Sequence, residues 1–197
     1  LSAVATAAVR EAEDGPDFCQ QVERETGMKI WVIDGKQEAR LSAQGVLLGW
    51  PGSYGLVCDI GGSSMELAEI SDGKVGKRQS SDLGPLKLQG ISGGKKARND
   101  HIKTTIMALK DKMGLQQNRL FLVGGSWRAL ARVDMERRNY PLHVPHEYRM
   151  STQGINETIK LLEASDPEKL RRLCHISANR MALLPIACEV LRRLLIT

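Results

Sequence analysis

The chain has 197 residues, with 42% hydrophobic and 26% charged residues, a composition that suits one large domain or one domain with part of another. A formal net charge of +5 favours polyanionic partners such as nucleic acid, nucleotides or inorganic polyphosphate, although charge alone does not choose among them. No apolar run approaches the roughly 20 residues needed to cross a bilayer, so no membrane partner is expected. In chain order, residues 5–12 favour helix and Asp14-Gly15 break it. Pro16 suits the first turn of a second helix and Gly27 its C-terminal cap. Residues 29–33 are a short β-rich run, and Gly35 starts a helix carrying Glu38, Ala39, Arg40, Leu41 and Val46. Residues 49–55 are rich in Gly and Pro and mark the expected boundary between residues 1–50 and residues 51–197. Residues 56–60 then read as a strand, residues 65–70 as a second, Ser71-Asp72-Gly73 as a turn and residues 74–83 as a third strand. Residues 90–98 read as a loop rich in Gly and Lys, and residues 101–113 as an amphipathic helix ended by Gly114. An apolar strand over residues 119–123 runs into Gly124-Gly125-Ser126 and a helix from Trp127 to about Arg137. Residues 141–149 are irregular. The remainder is helical, with Ser165-Asp166-Pro167-Glu168 as a start signal and Pro185 kinking or restarting the last helix.

The strongest chemical signal is Asp59-Ile60-Gly61-Gly62-Ser63-Ser64-Met65-Glu66. Adjacent glycines let the backbone approach a ligand closely, and their N–H groups, with the hydroxyls of Ser63 and Ser64, can cradle phosphate oxygens. Asp59 and Glu66 bracket that cradle, as two carboxylates that hold Mg²⁺ would. β-type sequence follows the glycines, which separates this turn from Walker and Rossmann loops, both of which lead into a helix. The plainer alternative is a hairpin turn with a solvent-facing acid. Gly124-Gly125 repeat the ligand-facing logic at a strand–helix turn, where a helix N-terminus favours an anion. Glu38 is the candidate general base. On residue physics alone, a surface glutamate on an amphipathic helix is the commoner reading.

Arg10, Arg40, Lys87, Lys95, Lys96, Arg98 and Arg128 are the basic residues near these turns, and Lys95-Lys96-Ala97-Arg98 is the expected polyanion patch. His143 and His146, with Glu147, are a weaker metal candidate, set against Pro141 and Pro145. Trp31, Trp50 and Trp127 read as packing residues. Cys19, Cys58, Cys174 and Cys188 form no CxxC pair and read as reduced thiols, Cys58 and Cys188 in apolar segments, which fits a cytoplasmic protein.

Several stretches, in one order, resemble the exopolyphosphatase/guanosine pentaphosphate phosphohydrolase (Ppx/GppA) family, part of the superfold shared by actin, heat-shock chaperones and sugar kinases. They are residues 5–12, residues 33–41 with Glu38-Ala39-Arg40-Leu41, residues 57–67, residues 83–88, residues 123–131 and Pro141-Leu142-His143. The resemblance implies an α/β, actin-like ATPase (ribonuclease H-like) fold: a mixed, five-stranded-type sheet with flanking helices. Residues 1–50 would be the end of a first actin-like domain and residues 51–197 most of a second. It implies Glu38 as the catalytic glutamate that activates water. Asp59 and Glu66 become the metal-associated acids, Mg²⁺ the cofactor, Gly61, Gly62, Ser63 and Ser64 the phosphate loop, and Arg10 an arginine near the phosphate cleft.

The implied activity removes the terminal phosphate of inorganic polyphosphate or the 5′ γ-phosphate of guanosine pentaphosphate. No nucleic acid partner is expected, and a homodimer is a candidate assembly. A non-catalytic nucleotide- or polyanion-binding module of the same superfold is the alternative; the Glu-Ala-Arg-Leu segment argues against a sugar or acetate kinase. Gln37 stands where the family usually has a second acid, and Ser63 replaces a usual glycine. The start lacks an initiator Met and a signal peptide, and both the family's first phosphate loop and its Gly-Leu-Arg-Glu-Gly-type strand are absent. The chain is therefore expected to be an internal fragment.

Overall fold

A computed structural model describes residues 2–114 and 118–196. It begins with β1 (Ala3–Ala5), α1 (Ala7–Arg10), α2 (Gly15–Thr26), β2 (Ile30–Val32) and α3 (Gly35–Gly49). β1 is a departure from the sequence expectation. Residues 3–5 pair parallel with Ile30, Trp31 and Val32, and this pairing overrides the helix preference of alanine, so the helix shrinks to α1. α2 carries Pro16 in its first turn and ends at Gly27, whose left-handed backbone (φ 69°) closes the helix as expected. α3 is started by a capping box: Asp34 accepts from the Gln37 N–H at 2.7 Å, and Gln37 Oε1 accepts from the Asp34 N–H at 3.1 Å. Gln37 therefore has a structural task, one that needs only its side-chain oxygen.

The second sheet is built from β3 (Gly55–Ile60), β4 (Met65–Ser71), β5 (Lys74–Ser81) and β6 (Leu120–Val123), in the order β5-β4-β3-β6. β3, β4 and β5 form an antiparallel meander, and β6 runs parallel to β3. The α/β class and the mixed sheet are those expected. Among the described residues this sheet has four strands, where a five-stranded type was expected, and β1 and β2 stand apart as a separate pair.

Strand alternation decides what each face carries. Cys58, Ile60, Met65 and Leu67 point into the main core, which is closed by α5 (Gly94–Met113), α6 (Gly125–Arg137), α7 (Thr152–Ala164), α8 (Pro167–Leu173) and α9 (Ala178–Leu195). Val57, Ala68 and Ile70 point the other way, onto Ala39 and Ala43 of α3. Those small side chains let α3 lie close to the sheet. By the same parity, Asp59 and Glu66 face α3.

The helical regions bring further corrections. α4 (Pro85–Gln89) forms between the strand expected to end at residue 83 and the loop expected from residue 90, because Pro85 opens a short turn on Gly84. α5 starts at Gly94, so Lys95, Lys96 and Arg98 lie on a helix, not in a loop. Gly93 and Gly94 supply the left-handed entry (φ 96° and 69°), and Arg98 is engaged by Glu189 of α9 at 2.7 and 3.0 Å. α8 starts as signalled, with Asp166 accepting from the Lys169 N–H. α9 continues through Pro185 without restarting. The irregular residues after α6 are held by buried Asp134, which accepts from Arg137, from the Tyr148 hydroxyl at 2.7 Å and from the Thr158 hydroxyl at 2.7 Å.

Trp127 is buried and Trp50 packs edge-on to Phe121, but Trp31 is 56% exposed, with the Lys29 ammonium over its ring. The four cysteines are unpaired, three of them buried. Among the described residues, no helix is long and apolar enough to cross a membrane.

Candidate active site

The site is a row of three side chains across the sheet. Asp59 on β3 pairs with Glu66 on β4, and Glu66 pairs with Ser80 on β5. Two carboxylates directly opposite each other destabilise a sheet, so the row is costly unless a proton, cation or ligand offsets it. α3 crosses above it. A Cβ added to Gly35 would meet Ser80 Oγ at 2.3 Å and Glu66 Oε1 at 3.6 Å, so this glycine lets the helix start directly on the row. Three residues on, Glu38 turns inward. One further turn on, the Ser42 hydroxyl donates to Asp59 Oδ2. Residues three, four and seven apart share one helix face, so α3 lays Gly35, Glu38 and Ser42 along Ser80, Glu66 and Asp59.

The electrostatics follow from this crowding. Glu66 is 1% exposed and its Oε1 accepts from Ser80 at 2.8 Å. Burial pushes its pKa up to about 7; the Ser80 and Ser64 hydroxyls oppose the shift, and the negative charges of Glu38 and Asp59 add to it. Burial also raises the pKa of Glu38; Arg10 counters this and Asp59 reinforces it. Arg10 Nη1 lies 3.6 Å from Glu38 Oε2 and donates to the Ile33 carbonyl at 2.7 Å. Oε2 of Glu38 and Oε2 of Glu66 are buried without a hydrogen-bond partner.

The glycine turn sits at the end of this row. The Gly61 N–H donates to the Ser64 carbonyl at 3.0 Å and closes the β3–β4 hairpin. Gly61, Gly62 and Ser63 all avoid positive φ, so the turn does not use the freedom of glycine for handedness, and Ser63 fits without strain. Gly62 lies close to Leu86: a Cβ there would meet Leu86 Cδ1, the tip of an exposed side chain, at 2.8 Å, and the Leu86 N–H donates to the Gly62 carbonyl. Ser64 is buried toward Glu66, leaving Gly61, Gly62 and the half-buried Ser63 as the open part of the turn.

Gly124 and Gly125 arrive from β6 on the far side. Gly124 has φ 112°, and a Cβ on it would meet the Ile60 carbonyl oxygen at 2.7 Å and Asp59 Oδ1 at 3.2 Å. A Cβ on Gly125 would meet the guanidinium of Arg180 from α9 at 2.3 Å. Arg180 thus puts a cation at the start of α6, against Gly125. Sequence alone does not single it out, because it lies far along the chain in a segment with no motif of its own. Arg128 is exposed in the first turn of α6, and Lys87 pairs with Glu11 at 2.9 Å on the rim, next to Leu86.

Arg40, Lys95 and Lys96 are exposed, and no contact brings them to the row. His143, His146 and Glu147 are exposed as well, with His146 3.8 Å from Glu147. Among the described residues, no group of three or more His, Cys, Asp or Glu side chains forms a metal cage. The donor set of Asp59 and Glu66 instead suits Mg²⁺, which takes one or two carboxylates and completes its shell with water and phosphate oxygens. The unpartnered Glu66 Oε2 is the observation that favours such a guest.

A sequence model of the Ppx/GppA phosphatase family matches residues 1–196. The chain belongs to this family. Among curated relatives, exopolyphosphatase 1 of Mycobacterium leprae is 40% identical over 74 residues, 36% of this chain and 22% of that protein. Its counterpart from Mycobacterium tuberculosis H37Rv is 39% identical over the same length. The match therefore spans about a fifth of these relatives. The fold of this Ppx/GppA chain is that of an exopolyphosphatase from Cytophaga hutchinsonii, with TM-score 0.81, 21% identity, and coverage of 98% of this chain and 66% of that one. The Aquifex aeolicus member of the Ppx/GppA family gives TM-score 0.75 at 22% identity, over 98% of this chain and 65% of that one.

Proposed function

We propose that the protein is a phosphoanhydride hydrolase that releases the terminal phosphate of inorganic polyphosphate, with Glu38 as general base. One observation carries this reading: in a chain of the Ppx/GppA phosphatase family, the row Asp59–Glu66–Ser80 lies beneath Glu38, which is paired with Arg10. Relatives named as exopolyphosphatases support polyphosphate as the substrate.

Glu38 takes the proton of the attacking water. Its raised pKa makes the ionised carboxylate a stronger base than an ordinary glutamate. Arg10 balances that charge and, anchored on the Ile33 carbonyl, holds the carboxylate in place. The glycine turn with Ser63, and the α6 start at Gly124 and Gly125, hold phosphate oxygens through N–H and hydroxyl groups. Asp59 and Glu66 would hold Mg²⁺, which when bound spreads the negative charge of the transferring phosphoryl group. The reading places the protein in the cytoplasm, where its thiols stay reduced.

Guanosine pentaphosphate offers the same kind of bond and is the second candidate substrate. The test is phosphate release by the full-length protein from long-chain polyphosphate and from guanosine pentaphosphate, with and without Mg²⁺. Mg²⁺-dependent release from polyphosphate supports the proposal. Release from neither substrate overturns it in favour of a binding module.

A further inference from the structure

Ser42 makes an unusual choice of partner. A serine inside a helix commonly donates back to the carbonyl four residues earlier. Here the hydroxyl leaves its own helix and donates to Asp59 Oδ2 on β3. The other carboxylate oxygen, Oδ1, faces the Gly124 turn, where an added Cβ would lie 3.2 Å away. The two oxygens of Asp59 are therefore divided. One is held by α3, and the other is turned toward the start of α6, where Gly124 leaves room because it has no side chain. Ser42 lies one turn beyond Glu38 on the same helix, so one rigid element sets both the base and this carboxylate. Ser80 does the matching task for Glu66 from β5, at 2.8 Å.

We propose that Ser42 is a positioning residue that locks the Asp59 carboxylate through Oδ2 so that Oδ1 is presented to a divalent cation. The proposal rests on the reading of Asp59 and Glu66 as the metal-side acids. Without the hydroxyl, the Asp59 side chain is free to turn about two bonds, and ordering it again opposes cation binding. Loss of a partner that orients a metal ligand typically costs about 10- to 100-fold in metal affinity.

The test titrates Mn²⁺ into the wild-type protein and its Ser42→Ala, Ser42→Thr and Ser165→Ala variants, reading free Mn²⁺ by electron paramagnetic resonance. Ser165 donates to the Leu161 carbonyl and touches none of the site, so it controls for the loss of any serine hydroxyl. Ser42→Ala is expected to weaken Mn²⁺ binding at least about 10-fold, with thermal unfolding close to wild type. Ser42→Thr, which keeps the hydroxyl, and Ser165→Ala are expected to retain wild-type affinity. Equal affinity in wild type and Ser42→Ala overturns the positioning role while leaving the metal reading intact. A wild-type protein that binds no Mn²⁺ overturns both, and the two failures are told apart by the wild-type titration alone.

Discussion

Replacing Glu66 with glutamine removes a buried carboxylate while keeping its shape and an acceptor for Ser80. In the folded state this carboxyl titrates at about 7 instead of its ordinary 4.5, because it is buried beside Glu38 and Asp59. The folded protein thus holds the proton more tightly than the unfolded chain. The associated stability is fully present below pH 4.5 and is lost as pH rises toward 7. At about 1.4 kcal/mol per pH unit, the full effect is about 3 kcal/mol, of which about 2.5 kcal/mol falls between pH 5 and pH 8. The substituted amide cannot ionise, so the variant escapes this loss. Urea unfolding of both proteins at pH 5 and pH 8 measures it: the stability of Glu66→Gln relative to wild type should rise by about 2.5 kcal/mol between the two pH values. A difference that is the same at both pH values would refute the claim that the row carries an uncompensated charge. Mg²⁺ added at pH 8 is expected to stabilise the wild-type protein, because a bound cation offsets the same charge.

Gly124→Ala combines a positive φ with a Cβ only 2.7 Å from the Ile60 carbonyl oxygen, so it should lower stability by about 2 kcal/mol or more in urea unfolding. Asp134→Ala removes the shared acceptor of Arg137, Tyr148 and Thr158; a loss of about 3 kcal/mol, read as a lower thermal midpoint, is expected. Of the four cysteines, Cys19 alone should react promptly with a thiol reagent in the native protein, with the other three appearing on denaturation. Cys58, Cys174 and Cys188 are buried, and burial holds their thiols protonated, Cys174 and Cys188 at about 11 and about 12.

The strand–turn–strand around Asp59 and Glu66 was legible in the sequence because apolar runs, paired glycines and Ser71-Asp72-Gly73 are local signals. Glu38 was legible through the segment that carries the family resemblance. Its position over the row was not, because that depends on how α3 settles on the sheet through Ala39 and Ala43. Ser42 and Ser80 escaped notice for the same reason. Each looks like an ordinary polar residue until β-register and helix phase bring it against a carboxylate. Arg180 is further from reach, since only the packing of α9 on α6 carries it to Gly125. Two local readings failed where tertiary contacts outweighed propensity. Ala5, expected to open the first helix, became the end of β1 by pairing with Val32, and the Gly- and Lys-rich segment became the start of α5, with Arg98 tied to Glu189.

The proposed chemistry stands or falls on Glu38. The most direct measurement is the kcat for phosphate release from long-chain polyphosphate by the full-length protein and its Glu38→Gln variant, at saturating Mg²⁺. A general base contributes about 100- to 10,000-fold, so kcat is predicted to fall at least about 100-fold while the substrate still binds. Equal rates for the two proteins would contradict the account.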